Sequence, residues 1–299
     1  MGVLLVALGA GFVLCAEVPG AGDAAHFLRD GLGASCRGAG SACVALTDDF
    51  TAPFWNPAPA VQSPSSIVGG GLEQRNRGLI TFSVLGGRVD ARVWSAGVVV
   101  LASDMYDVYH LSAGFRFGSA SAGFSIRSYQ FGVPNDRGSG LGLDLGVRWV
   151  IHYGGTTLSF AAVSRDIGWT PIRWGAAEIL AVDRVAWVNR IAVAVEVPLV
   201  RGEWLLEVDG ESSSRRPPLQ DESGYWAKAG ELNISLGTAY SWAGICVRIG
   251  VQRYDLLKPG SLFRPTMGLG IAVDDFRLDV ALVPSMLGST YLGSFQVEL

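Results

Sequence analysis

The sequence predicts an all-β chain closed into an antiparallel transmembrane β-barrel of fourteen strands. Three observations predict it: a hydrophobic composition with no spanning helix, a sustained alternation of period two, and connection lengths that segregate by strand parity. Apolar residues make up 49% of the 299 residues and charged residues 17%, against about 25% charged in a soluble domain. Mean hydropathy is +0.32. Yet no internal stretch approaches the roughly 20 apolar residues of a membrane-spanning helix; runs such as Ala96 to Ala102 are too short. That leaves a large soluble β protein or a membrane barrel, whose hydrophobicity is hidden in alternation. The 40 glycines show no collagen period, and the abundance of Val, Leu, Ile and aromatics excludes disorder.

From residue 66 onward, segments of about ten residues alternate apolar with small or polar side chains, between Gly, Asp, Asn and Pro clusters. Leu141, Leu143, Leu145, Val147, Trp149 and Ile151 share one face, opposed by Gly140, Gly142, Asp144, Gly146, Arg148 and His152. Ile191 to Val197, Trp204 to Val208, Ile245 to Val251 and Phe276 to Leu282 repeat the pattern. The expected strands are 66–74, 78–85, 91–101, 108–117, 119–130, 140–151, 155–165, 186–197, 203–212, 228–238, 244–254, 265–273, 276–283 and 290–299. An even count suits a closed outer-membrane barrel.

Joins after even strands are tight, as at Gly86 to Asp90, Gly118, His152 to Gly154, Pro198 to Gly202, Ala239 to Ala243 and Asp274–Asp275. Several joins after odd strands are long: 131–139, 166–185, 213–227 and 255–264. Barrels with periplasmic termini show this asymmetry, and a soluble sandwich has no reason to. Trp149, Trp204 and Trp242 fall near the tight-turn ends, and Trp187, Trp226, Tyr254 and Tyr291 near the other ends, as two aromatic girdles would. Arg116, Arg127, Asp144, Arg148, Arg190, Glu196, Glu207, Asp209, Arg248 and Asp279 mix both signs on the opposite face. On a lipid face such charges are costly, so they define the lumen, chiefly in structural roles.

The formal net charge of −4 gives no basic footprint for nucleic acid. There is no G-x-S-x-G elbow, Walker loop, H-E-x-x-H or G-x-G-x-x-G, and His26, His110 and His152 each stand alone. A non-enzyme without metal or cofactor is expected. Cys36 and Cys43 stand seven apart with no further ligand nearby, so zinc is not indicated; a bridge between them and two small buried thiols fit equally well. Met1 to Ala16 is uncharged and apolar, and Glu17, Pro19 and glycines follow. It reads as an export signal cleaved after Ala16. Residues 17–65 are rich in Gly, Ala, Ser and Pro and lack the strand period, so the barrel is assigned to 66–299.

Residues 27–60, FLRDGLGASCRGAGSACVALTDDFTAPFWNPAPA, carry a resemblance. Phe27-Leu28, the Gly/Ala run with Arg37, Val44-Ala45, Asp48-Asp49 and Trp55-Asn56-Pro57-Ala58 are similar to the start of FadL-like outer-membrane proteins, most closely the PorV/PorQ branch. Cys36, Cys43, Pro59 and the final Leu299 depart from the pattern. The resemblance implies that the N-terminal segment folds inside the barrel as a plug. Arg37, Asp48, Asp49, Trp55, Asn56, Pro57 and Ala58 are its motif, and Asp48 and Asp49 are positioned to bond lumen arginines. It further implies a diderm outer membrane with lipid around the wall, and passage or binding of small hydrophobic compounds. The alternatives are partnership with type IX secretion proteins and a purely structural barrel.

Overall fold

The computed structural model describes residues 16–17, 24–59, 65–75, 78, 80–133, 136–175, 183–214, 228–229, 231–253, 263–284 and 288–299. The signal expected at 1–16 lies outside these apart from Ala16, as do Trp226 and Tyr254.

Fourteen strands form the wall: β1 Ser65–Arg75, β2 Ile80–Asp90, β3 Trp94–Ala102, β4 Tyr106–Phe117, β5 Ala120–Val133, β6 Asp136–Tyr153, β7 Thr156–Arg165, β8 Trp187–Leu199, β9 Gly202–Ser214, β10 Glu231–Trp242, β11 Ile245–Arg253, β12 Phe263–Val273, β13 Phe276–Val283 and β14 Thr290–Glu298. Each pairs antiparallel with its sequence neighbours, and β14 pairs with β1, Phe295 opposite Gly70, which closes the ring. Closure leaves no unpaired edge, a condition for any sheet in hydrocarbon. The tight hairpins rest on positive φ, at Gly154–Gly155 and Ala243–Gly244, which matches the strand twist.

Burial is inverted relative to a soluble protein. Leu141, Leu143, Leu145 and Val147 of β6 are exposed on the outer surface, while Asp144 and Arg148 between them are buried. Val247 and Val280 are likewise exposed, and Val195 half-exposed. Trp94, Phe115, Phe117, Tyr153, Trp204, Tyr240, Trp242 and Phe276 stand on the outer surface near the tight-turn ends; Tyr109, Phe263 and Tyr291 do so nearer the other ends.

Two expected joins are strand. Residues 131–133 continue β5 and 136–139 belong to β6, down to a Val133–Asp136 pair. Gly86 to Asp90 belongs to β2 and pairs with β3. In both places the glycines mark close approach of another backbone or ring rather than a loop. A Cβ on Gly86 would stand 3.1 Å from the Phe50 ring, and one on Gly138 would stand 2.9 Å from the Trp174 ring. The second contact arises because the chain leaves β7 at Asp166 (φ 51°) and lays residues 170–174 across the inner face of β6.

Candidate functional site

Residues 24–59 lie inside the ring. They contain a 3-10 turn, His26–Asp30, and two short helices, α1 Ala34–Gly38 and α2 Ala52–Trp55. The helices are too short to be stable alone; what fixes them is the wall. Small residues allow the approach. Gly237, Gly250 and Gly268 receive the backbone of Gly38, Ala39 and Gly40, and Gly97, Gly114, Gly123 and Gly146 receive the run Pro53 to Pro59. A Cβ on Gly250 would stand 2.1 Å from the Gly40 nitrogen, and one on Gly123 would stand 2.2 Å from the Pro57 oxygen.

Plug segments without regular structure carry backbone groups that need partners. Wall side chains supply them. Asp209 accepts from the backbone N–H groups of Cys43 (3.0 Å) and Val44 (3.3 Å), and Glu207 from that of Ala45 (2.6 Å). Arg148 donates to the Val44 carbonyl (3.1 Å), Arg165 to that of Trp55 (2.8 Å), Arg88 to that of Asp48 (2.6 Å) and Arg190 to that of Arg29 (2.7 Å). Thr266 accepts from the Gly40 N–H (2.8 Å) and donates to the Gly38 carbonyl (2.9 Å). Many of the lumen charges therefore serve as handholds for the plug backbone. Others pair along the wall: Arg127 with Asp144 (2.6 Å), Arg248 with Asp279 (2.7 Å), and Arg190 with Glu211.

The motif residues divide by role. The Trp55 indole N–H donates to the Leu32 carbonyl (3.1 Å), and its ring fills the space beside Gly31. The Asn56 amide donates to the carbonyls of Val44 (3.1 Å) and Val147 (3.4 Å), and its oxygen accepts from the Ala58 N–H (2.9 Å). Asn56 thus ties three segments, and Pro57 and Ala58 are buried against β5 and β6. Arg37 is buried and reaches Glu73 (3.6 Å) and the Asp30 carbonyl. Asp48 pairs with Arg277 (3.4 Å). Its side chain keeps 65% of its surface open to an internal cavity. Depth within the barrel would raise its pKa, but the guanidiniums of Arg277, Arg88 and Arg248 outweigh that and hold it below the ordinary carboxylate value. Asp49 does not reach a lumen arginine. It turns inward on the plug, accepting from the Thr51 N–H (2.8 Å) and hydroxyl (2.5 Å), two residues away in a turn, and from the Ser35 hydroxyl of α1.

Cys36 and Cys43 are joined by a disulfide, Cα atoms 5.7 Å apart, which closes the loop running from α1 to the Asp209 handhold. Of the other residues expected in the lumen, Arg116 is half-buried beside Asp90, 3.5 Å away, and Glu196 half-buried at the tight-turn mouth. Sequence reasoning missed Arg75, Arg88, Arg165 and Asp166. Arg75 and Arg88 fall beyond the expected ends of their strands and Arg165 on the last residue of its own, yet all three are buried on the inward face. Asp166 lies in the segment read as an external loop; here it accepts from Tyr129 (2.8 Å) and Thr170 (2.8 Å).

The two halves of the lumen differ. Toward the ends opposite the tight turns, the inner face is aromatic. Phe27 of the plug stands 5.3 Å from the Phe82 ring and 4.8 Å from that of Tyr106, and Tyr106, Phe131 and Trp174 continue the cluster at 5.5 and 6.1 Å. Two spaces beside the plug in this half are small, about 20 and 10 Å³. At the tight-turn end a cavity of about 490 Å³ lies between the plug and the inner face of β6 to β13.

Scans against protein-family models and against curated sequences match nothing. Solved structures do match. A deltaS2 mutant of the TodX monoaromatic hydrocarbon channel superposes with a TM-score of 0.52 at 12% identity, over 90% of this chain and 97% of that one. CdiB from Acinetobacter baumannii gives 0.47 at 11% identity over 81% of this chain, which spans 61% of CdiB. A mutant of the Rh. blastica porin gives 0.39 at 7% identity over 79% and 99%. The fold is therefore a closed β-barrel like that of TodX.

Proposed function

We propose that this protein is an outer-membrane channel that passes or binds small hydrophobic compounds, with residues 24–59 as its gate and residues 1–16 as a cleaved export signal. The observation that carries the reading is the aromatic inner face around Phe27, Phe82, Tyr106, Phe131 and Trp174, set directly against the plug. A pore for hydrated solutes has a polar interior; an aromatic one favours apolar cargo. The likeness to TodX, a monoaromatic hydrocarbon channel, points the same way.

Expression in the outer membrane of a diderm host tests it. Uptake of radiolabelled toluene should rise while uptake of glucose does not, and a Phe82→Ser/Phe131→Ser variant with an intact barrel should lose the gain. No gain on expression, or an equal gain for both solutes, contradicts the reading. The motif from Phe27 to Ala58 also supports kinship with the PorV/PorQ branch, and with it the second reading, a secretion partner. That reading predicts stable co-purification with secretion-system proteins and no gain in toluene uptake.

A further inference from the structure

Resting on the channel reading, we propose that the tight-turn cavity is a binding site for small compounds with an ammonium group on an apolar body, and that it disfavours carboxylates. Its volume, about 490 Å³, lies within the range of small-molecule sites, roughly 300–1,000 Å³. Its lining is partly apolar, from Leu46 of the plug and Val150, Leu205 and Ala239 of the wall. The rest is largely acidic, and its charges do not balance.

Two arginines line the cavity. Arg248 bonds Asp279 (2.7 Å), and Arg277 bonds Asp279 (2.9 Å) and Asp48 (3.4 Å), so two cations meet two carboxylates. Glu207 is engaged by the Ala45 N–H. Glu196 and Glu203 remain. Pairing of Pro198 with Glu203 and of Glu196 with Leu205 makes them diagonal neighbours on the inner face of β8 and β9. No described Arg or Lys forms an ion pair with either. The two carboxyl groups are within hydrogen-bond reach of each other, so they must either share a proton or repel, and a cation between them removes either cost.

A second, independent feature points into the same space. Ser159, from β7, lines the cavity, is fully buried, and its hydroxyl has no protein partner. A buried hydroxyl without a partner is costly; it is placed to accept from an ammonium held by the carboxylates. His152, at the rim, is bonded to Thr157 (3.2 Å).

The test uses the purified full chain in dodecylmaltoside micelles at neutral pH and low salt. Binding of benzylammonium, benzyl alcohol and benzoate is measured by titration calorimetry. Benzylammonium should bind at least about tenfold tighter than benzoate, a difference near 1.4 kcal/mol. Glu196→Gln/Glu203→Gln should bring the two within about twofold and leave benzyl alcohol unchanged, with heat-modifiability reporting an intact barrel. Ser159→Ala should weaken benzylammonium alone, by roughly threefold, a lost hydrogen bond of modest net value. Equal affinities in the native chain, or a preference that survives the double substitution, overturns the proposal. Toluene uptake separates the two readings: charge-ordered binding without uptake keeps the site and removes the channel, and uptake without charge order does the reverse.

Discussion

Asn56 of the plug and Gly146 of β6 meet so closely that a Cβ on Gly146 would stand 2.1 Å from the Asn56 side-chain oxygen. That oxygen already accepts from the Ala58 N–H, and the amide nitrogen donates to Val44 and Val147. One glycine in the wall therefore admits the residue that joins three segments.

Gly146→Val should displace Asn56 and loosen the plug at a cost of about 1–3 kcal/mol, the range for overpacking. The barrel should remain heat-modifiable, because the outward parity of β6 is untouched. Protease sensitivity of residues 40–59 should rise. A variant as protected as the native chain would show that residue 56 is not held at this wall.

Asp209→Ala should remove the acceptor of the Cys43 and Val44 N–H groups. Hydrogen bonds to charged groups contribute about 1.5–3 kcal/mol, so exchange of those two amides should quicken by roughly tenfold to a hundredfold. Exchange in β1 to β3 should not change. Equal quickening throughout would mean that Asp209 supports the barrel rather than the plug.

The disulfide offers a separate handle. Cys36→Ser/Cys43→Ser should lower plug stability by about 2–3 kcal/mol, since a short closed loop restricts the unfolded segment only modestly. The readout is protease sensitivity near α1, with wall unfolding in guanidinium unaltered. A drop in wall stability of the same size would count against a plug-confined role.

Arg in place of Leu145, Val247 or Val280 should destabilise the chain in vesicles by about 2–4 kcal/mol near mid-membrane. These side chains are exposed on the outer surface. Equilibrium unfolding from lipid vesicles measures the effect. Losses near zero at all three positions would place them off the lipid face.

The wall was legible because alternation is a one-dimensional signal: an apolar outer face and an inner face of charged plug contacts impose opposite demands on successive residues. Strand ends were less legible where glycines had a second cause. Gly86 and Gly138 look like turn residues in sequence, yet they sit in strands to admit Phe50 and Trp174. The plug was legible only as a motif. Asp48 and Asp49 are adjacent and alike, but one faces Arg277 and the other caps its own turn, which depends on tertiary placement. The inward path after Asp166 had no signal of its own, because its partners, Tyr129 and Thr170, are ordinary strand and loop residues.

The central claim is that residues 24–59 fill a wall that closes without them. Conductance of single insertions in planar bilayers tests it most directly, comparing the full chain with one lacking 24–59. The wall is joined throughout by its own ladder, so the deleted chain should still insert and remain heat-modifiable. Its conductance should be many times that of the full chain, as water occupies the freed lumen. A deleted chain that inserts with unchanged conductance would contradict the account.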